Sequence, residues 1–183
     1  PHPRPLLPPG PDWLRDPDTV GLYPQSLQSV GGALFAVSNA AEADAALQQI
    51  PAWSQARKTF SAVPGIGRST FDFDAVDDPH ALADVDFAIL RGEFAVAENG
   101  AIWTRGEAVR HRAVYFLTEH PALVVRLSDL VDQMHEACTR LNFEGRGFGA
   151  FISGPSKTAD IEQSLVIGAH GARSLSVFLV DSI

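Results

Sequence analysis

Cysteine is almost missing from this sequence. Cys138 is the one cysteine in 183 residues, and a single thiol cannot form a disulfide within its own chain. It also cannot hold an iron–sulfur cluster, because such clusters normally take about four cysteine ligands. Cys138 lies in an apolar pattern typical of a helix, where a small core residue is a better interpretation than a nucleophile. The composition therefore predicts no cofactor on this chain and favours the reducing cytoplasm.

Positive charge is also scarce. Lys and Arg number 14 against 22 Asp and Glu, which gives a formal net charge of −8. This balance argues against nonspecific nucleic-acid binding, because such binding uses Lys and Arg to displace counterions. No apolar run reaches the roughly 18 residues needed to span a bilayer, and the Pro-rich beginning is unlike a secretory signal peptide. We expect a cytoplasmic globular protein without a membrane span.

Several common catalytic and nucleotide-binding motifs are absent. Residues 153–158 lack the Walker A spacing, and Gly65–Gly67 lacks the third glycine and the helix of a dinucleotide site. His135–Glu136 is not a zincin motif, because residue 139 is Thr rather than His. The chain has no Gly-x-Ser-x-Gly elbow of a serine hydrolase. The acidic segment 71–78 lacks EF-hand spacing and is interpreted as a solvated loop, so we expect no metal site.

The composition divides the chain into two parts. Residues 1–24 hold many of the 13 prolines and predict an extended arm, whereas residues 25–183 predict a single α/β domain. Strands and helices alternate at both ends, which predicts a mainly parallel sheet with some antiparallel additions. Strands are predicted at 33–37, 61–63, 84–90, 93–97, 101–104, 123–125, 150–152 and 174–180, with a break at 120–121. Helices are predicted to end at 30 and to span 40–50, 79–83 and 127–141.

The stretch 149–162 carries the most suggestive polar pattern. A short apolar strand is followed by a polar turn at 153–158 and then by the start of a helix capped by Ser or Thr. Asp160 and Glu162 would occupy the first helical turn, where the helix dipole favours carboxylates. Free backbone N–H groups, hydroxyls and Lys157 would then converge on one point, as in many ligand sites of α/β proteins. A well-capped helix after a strand is the alternative interpretation.

Three segments in the C-terminal part resemble a known family signature. They are Gly154-Pro-Ser-Lys-Thr-Ala-Asp-Ile-Glu162, Leu165-Val-Ile-Gly-Ala-His-Gly171 and Val177-Phe-Leu-Val-Asp181. Together they closely resemble the C-terminal signature of the lactate utilization protein C family, the LUD domain. Ala97-Glu-Asn-Gly-Ala-Ile102 is similar to the second signature, with Asn and Ala where the family usually has threonines. Val30-Gly-Gly32 before a strand fits the N-terminal part.

This resemblance implies a fold and a function. The fold would be a three-layer α/β sandwich with a mainly parallel sheet, as in ribose-5-phosphate isomerase, glucosamine-6-phosphate deaminase and CoA transferases. The chain would be a subunit of an L-lactate utilization system that oxidises L-lactate to pyruvate together with iron–sulfur, electron-transferring proteins. Iron–sulfur clusters are then expected only on those partners.

By analogy with such folds, two turns are expected to face one cleft. They are the turns 97–100 and 153–158, whose N–H groups, together with Lys157, would hold a small carboxylate or phosphate. Glu98 is a candidate base or nucleophile, and His170, between glycines, is a candidate proton carrier or metal ligand. The predicted ligand-binding residues are Gly100, Ser153, Gly154, Ser156, Lys157, Thr158 and Asp160.

Each of these assignments has an alternative. A turn residue in water is the favoured interpretation of Glu98, and His170 fits equally a helix C-terminal residue that bonds free carbonyl groups. Lys157 also fits a surface or capping role, and Asp160 fits stabilisation of a helix N-terminus. The alternative function is a stand-alone enzyme or a regulatory domain that binds a phosphosugar, an acyl-CoA or a folate-like ligand. Whether this chain is itself catalytic stays open.

Overall fold

The computed structural model describes residues 18–141, 147–159, 165–167 and 171–183. Five α-helices lie in these ranges: α1 Thr19–Ser29, α2 Ala40–Leu47, α3 Pro51–Gln55, α4 Val114–Leu117 and α5 Met134–Arg140. The strands are β1 Gly32–Asn39, β2 Thr59–Ser61, β3 Phe87–Arg91, β4 Phe94–Val96, β5 Ala101–Arg105, β6 His120–Arg126, β7 Leu130–Val131, β8 Gly149–Ile152, β9 Lys157–Ala159, β10 Leu165–Ile167 and β11 Leu175–Ser182. None of the helices in these ranges is long and apolar enough to cross a membrane.

Five parallel strands form the large sheet at the centre of the molecule. Their order is β1-β11-β6-β3-β2, and every neighbouring pair is parallel. The central strands consist of short apolar runs such as Ala122–Val125, which are buried on both faces of the sheet. Continuous apolar runs are typical of parallel strands, because helices or a second sheet cover both faces.

Alternate residues of these strands enter two different cores. In β3, Phe87 and Ile89 pack with α2 and α3 on one face, where Leu47 and Trp53 are buried. On the other face, Leu90 packs with α1 and with the inner side of a second sheet. The layers are therefore α2 with α3, the large sheet, and α1 with the small sheet. This arrangement confirms the predicted three-layer α/β class with a mainly parallel sheet.

The small sheet has the strand order β7-β4-β5-β8. Strand β5 runs antiparallel to both β4 and β8, whereas β7 runs parallel to β4. Ala95 of β4 faces the large sheet, while Phe94 and Val96 face outward and pack against α5. The small sheet thus supplies the antiparallel additions predicted from the sequence.

Helix α2 begins where the sequence has a capping residue, Asn39, before an Ala-rich segment. The Asn39 side chain accepts a hydrogen bond from the Glu42 N–H at 3.0 Å, and the Glu42 carboxylate accepts one from the Ser38 N–H at 2.9 Å. These reciprocal bonds satisfy donors at the helix N-terminus. The helix ends at Leu47, earlier than predicted, and Pro51 opens α3, because proline is well suited to the first helical position.

Three helix predictions are wrong, each because a strand pairing overrides the local pattern. A helix was predicted for 127–141, but residues 130–131 form β7, which pairs with β4, and α5 begins only at Met134. A helix was also predicted to start in the turn 153–158. Instead Lys157–Ala159 forms β9, which pairs antiparallel with β10. The apolar segment before His170 is likewise strand at 165–167.

Three smaller differences concern element boundaries. The predicted extended arm reached residue 24, but α1 begins at Thr19, because Tyr23 and Leu27 are four residues apart and bury one helix face. Strand β2 lies two residues before its predicted position, at Thr59–Ser61. The predicted break at 120–121 is the beginning of β6, since a proline is tolerated near the start of a strand.

Candidate functional site

The first predicted turn, 97–100, connects β4 and β5. Gly100 has φ 66°, and a Cβ at this position would lie 2.7 Å from the Cα of Leu27. The Asn99 side chain accepts a hydrogen bond from the Ala101 N–H at 3.1 Å, which closes the turn locally. The turn therefore packs closely against the C-terminal half of α1. Only glycine fits at position 100, the last residue of the turn.

The second predicted turn, 153–158, lies against the first one. The Ser153 hydroxyl donates a hydrogen bond to the carbonyl oxygen of Asn99 at 2.9 Å. Gly154 has φ 75°, and a Cβ there would lie 2.1 Å from the carbonyl oxygen of Val30. The structure thus brings the two turns together where α1 ends and β1 begins, although they are about fifty residues apart in the sequence.

The backbone N–H groups of these turns are largely engaged within the protein. The N–H groups of Glu98, Gly100 and Ser156 donate to carbonyl oxygens at 2.9, 3.0 and 2.8 Å respectively. The sequence-based argument assumed that such groups are free to bind an anion, and at these three positions that assumption is wrong. A ligand at this place would depend on side chains instead.

Glu98 has a defined structural contact. Its Oε2 atom accepts a hydrogen bond from the Met134 N–H at 2.7 Å, at the first residue of α5. The side chain is exposed, as expected for a turn residue in water. The contact joins the 97–100 turn to the N-terminus of α5, where a carboxylate compensates an N–H group that has no partner within the helix.

A cavity of about 270 Å³ opens beside the second turn. Gly154 and Ser156 line it together with Tyr115, Phe116, Phe151 and Gly171. Lys157 does not line the cavity and is exposed. Of the predicted ligand-binding residues on this turn, Gly154 and Ser156 therefore border the cavity, and Lys157 lies outside it.

The remaining predicted residues are placed only in part. His170 and Asp160 lie outside the described residues. Thr158 is the central residue of strand β9. Within the described ranges, no group of three or more His, Cys, Asp or Glu side chains is close enough together to hold a metal ion.

Comparisons with known proteins place the chain in a family. The sequence profile of the LUD domain matches residues 70–180, which is more than half of the chain. The chain belongs to the LUD domain family. The resemblance drawn from the C-terminal and middle signatures is thereby confirmed.

Relatives with curated names point in the same direction. This LUD domain is 32% identical to lactate utilization protein C of Bacillus pumilus over 101 residues, which cover 52% of this chain and 42% of the relative. It is 35% identical to lactate utilization protein C of Shouchella clausii over 101 residues, which cover 52% and 44%. The aligned part of the chain therefore spans less than half the length of these relatives.

A solved structure shares the fold of this LUD domain. The crystal structure of a DUF162 family protein from Deinococcus radiodurans superposes with a TM-score of 0.65 at 23% sequence identity. The superposition covers 89% of this chain and 96% of that one. The three-layer α/β architecture therefore extends beyond the stretch that the family profile matches.

Sequence reasoning missed a second place in this LUD domain, at the carboxyl edge of the large sheet. A cavity of about 560 Å³ lies beyond the ends of β1, β2, β3 and β11, and we call it the carboxyl-edge cavity. Asn39, Ala41, Val63, Arg91 and Ser182 line it. The signal that could have found it is a polar residue directly after an apolar strand, such as Arg91 after 87–90.

A third polar group, also missed, lies at the opposite edge of the large sheet. The Nδ1 atom of His120 is 2.8 Å from the Ser174 hydroxyl. Glu119 forms an ion pair with Arg173 at 2.6 Å and lies 3.6 Å from Nε2 of His120. These contacts join the segments that enter the neighbouring strands β6 and β11.

Proposed function

We propose that this chain is a component of an L-lactate utilization system. The observation that carries the proposal is membership of the LUD domain family together with relatives named lactate utilization protein C. Because the aligned region spans less than half of those relatives, the activity of the whole relative is part of this proposal.

The proposal includes iron–sulfur partner proteins. Oxidation of L-lactate to pyruvate releases two electrons, and a chain of clusters is a suitable acceptor for them. This sequence has one cysteine, Cys138, on α5, whereas a cluster takes about four thiolate ligands. The clusters would therefore lie on other chains, and this chain would act by binding them and, with them, a small carboxylate.

Affinity purification tests the partner proposal. The tagged chain is purified from its native host grown on L-lactate, and the bound proteins are identified by mass spectrometry. We expect cluster-binding proteins and an activity that oxidises L-lactate to pyruvate in the same fraction. Recovery of the chain alone, under conditions that preserve other known complexes of the host, would contradict this part of the proposal.

A second candidate function is binding of a small anion at the two turns. The hydrogen bond between Ser153 and Asn99 and the cavity beside Gly154 and Ser156 favour it. The ligand would be a phosphosugar, an acyl-CoA or a folate-like molecule, bound by a stand-alone enzyme or by a regulatory domain without turnover. Glu98 and His170 are the proposed catalytic groups in the enzyme case.

Binding measurements with phosphate, glucosamine 6-phosphate and acetyl-CoA test this second candidate. We expect saturable binding that Ser156→Ala weakens by about tenfold, the loss of roughly one charge-assisted hydrogen bond. Lys157→Ala, at the exposed position that follows Ser156, should weaken binding less, through the loss of one positive charge. Arg110→Ala, on an exposed arginine away from both turns, serves as the control. Affinity that is unchanged in both variants would remove this site.

A further inference from the structure

The carboxyl-edge cavity has walls that are mostly apolar. Ala41, Val63 and Ile183 are among the residues that line it. Its polar groups from β1 and β11 are already engaged, since Asn39 caps α2 and the Ser182 hydroxyl donates to the carbonyl oxygen of Ser38 at 3.2 Å. Apolar walls with a small number of polar groups are typical of small-molecule sites.

Strand alternation places Arg91 on the same side of the large sheet as α2. Successive residues of a strand point to opposite faces, and Phe87 and Ile89 of β3 point to the α2 side. Arg91 is the next residue in this series, just beyond the buried part of the strand. In β6, Val124 has the same orientation, so Arg126 also follows on the α2 side.

Arg91 is a cation without a carboxylate partner among the described residues. No ion pair in that part of the chain involves its guanidinium group, whereas Arg105, Arg110, Arg140 and Arg173 all form one. It is also the one charged side chain among the described residues that line the cavity. Although the chain carries a net charge of −8, a guanidinium group without an ion-pair partner attracts an anion locally.

The size and charge of the cavity define the class of ligand. A volume of about 560 Å³ falls in the range of sites that hold drug-sized molecules, which is roughly 300–1,000 Å³. Lactate would fill only a small part of it. A single guanidinium group matches a single carboxylate, with which it forms two parallel hydrogen bonds, and the apolar walls match a hydrocarbon chain or ring.

We propose that the carboxyl-edge cavity binds an amphipathic monocarboxylate larger than lactate, with Arg91 holding the carboxylate and the apolar walls covering the hydrocarbon part. This site is separate from the two turns and from the proposed lactate system. Part of its wall, at 39–41 and 62–64, lies outside the region matched by the family profile. The proposal therefore goes beyond what family membership implies.

Calorimetric titration of the purified chain with a series of carboxylates tests the proposal. The probes are acetate, L-lactate, hexanoate and octanoate, with octanol and octylamine as uncharged and cationic counterparts. We expect affinity to rise along the series from acetate to octanoate, because each added methylene buries more apolar surface. We also expect octanol and octylamine to bind at least tenfold more weakly than octanoate.

Two variants test the residues. Arg91→Gln removes the charge at an exposed position and should weaken octanoate binding at least tenfold, while binding of octanol stays the same. Ala41→Trp places a bulky group at an exposed point of the wall and should abolish binding of both probes. Arg110→Gln is the matched control for loss of one exposed arginine, and all variants are compared by thermal unfolding.

Three outcomes would overturn the proposal. They are absence of octanoate binding, equal binding of octanoate and octanol, and unchanged octanoate affinity in Arg91→Gln. Each is independent of the lactate proposal, which is tested by partners and growth rather than by this titration.

Discussion

At the scale of single residues, substitutions of Glu98 can distinguish a structural role of this side chain from a catalytic one. Its carboxylate accepts the Met134 N–H at 2.7 Å, a contact that a Gln side chain can reproduce through its carbonyl oxygen and an Ala side chain cannot. We expect Glu98→Ala to lower the free energy of unfolding by about 1 kcal/mol, as for other lost helix caps, and Glu98→Gln to lower it less. Denaturant unfolding measures both.

The comparison of the two variants is also a test of the catalytic prediction for Glu98. If Glu98 acts only as a cap, any activity of the complex should follow stability and survive in Glu98→Gln. If it is a base or nucleophile, Glu98→Gln should lose activity while its stability is nearly that of the original chain.

The two tyrosines of the chain provide a prediction of pH dependence. Burial raises the pKa of Tyr115 to about 12, with a smaller contribution from the negative charge of Glu93. Burial alone raises the pKa of Tyr23, whose hydroxyl has no hydrogen-bond partner among the described residues. The folded protein should therefore show little tyrosinate absorbance at about pH 10, where a free tyrosine is half ionised.

The sign of the stability change follows from the direction of these shifts. Because the folded state holds both phenolic protons more tightly than the unfolded state, their contribution to stability is complete below about pH 10 and is lost as the pH rises through the folded-state pKa. The free energy of unfolding should fall over that interval. A tyrosinate signal that develops around pH 10 without unfolding would contradict the burial of these side chains.

At the scale of elements, the positive φ of Gly154 lets the 153–158 turn approach Val30 at the end of α1 closely. A Cβ at Gly154 would lie 2.1 Å from a backbone carbonyl oxygen, whereas one at Gly65, at a similar φ of 80°, would meet only a methyl group at 3.5 Å. We expect Gly65→Ala to cost about 1 kcal/mol for its backbone conformation alone. Gly154→Ala should cost clearly more, because backbone must move.

Thermal or denaturant unfolding of the two variants measures this difference. If both cost the same, the contact between the turn and Val30 is not as close as the structure has it. The comparison also matters for the candidate site, since a displaced Gly154 would open the hydrogen bond between Ser153 and Asn99.

The elements show where sequence reasoning succeeds and where it fails. The strand β11 and the cap of α2 were predictable, because an apolar run and an Asn before an Ala-rich segment are local signals. The strands β7 and β9 were not, because their identity depends on pairing with β4 and β10, which no local pattern encodes. Residues 157–159 carry helix-start signals and still form a strand.

The same contrast holds for the candidate sites. The proximity of the two turns was expected by analogy with related folds, but the engagement of their N–H groups depends on partners such as Asp132 and Ala172, which are distant in sequence. Arg91 was overlooked because it ends a strand without any motif around it. Its place became visible only when the topology brought the carboxyl ends of four strands together.

At the scale of the whole molecule, the large sheet separates two kinds of surface. One edge carries the carboxyl-edge cavity, and the two turns lie against α1 on the side of the small sheet. This separation leaves room for a partner at one place and a small ligand at another. A component of a multiprotein system with its own ligand site is consistent with both proposals.

Growth of a deletion strain is the measurement that tests the central claim most directly. The gene for this chain is removed from its native host, and growth on L-lactate is compared with growth on pyruvate as the carbon source. We predict loss of growth on L-lactate, normal growth on pyruvate, and recovery when the intact gene is returned. Normal growth on L-lactate in a deletion strain that has no other lactate dehydrogenase would contradict the account.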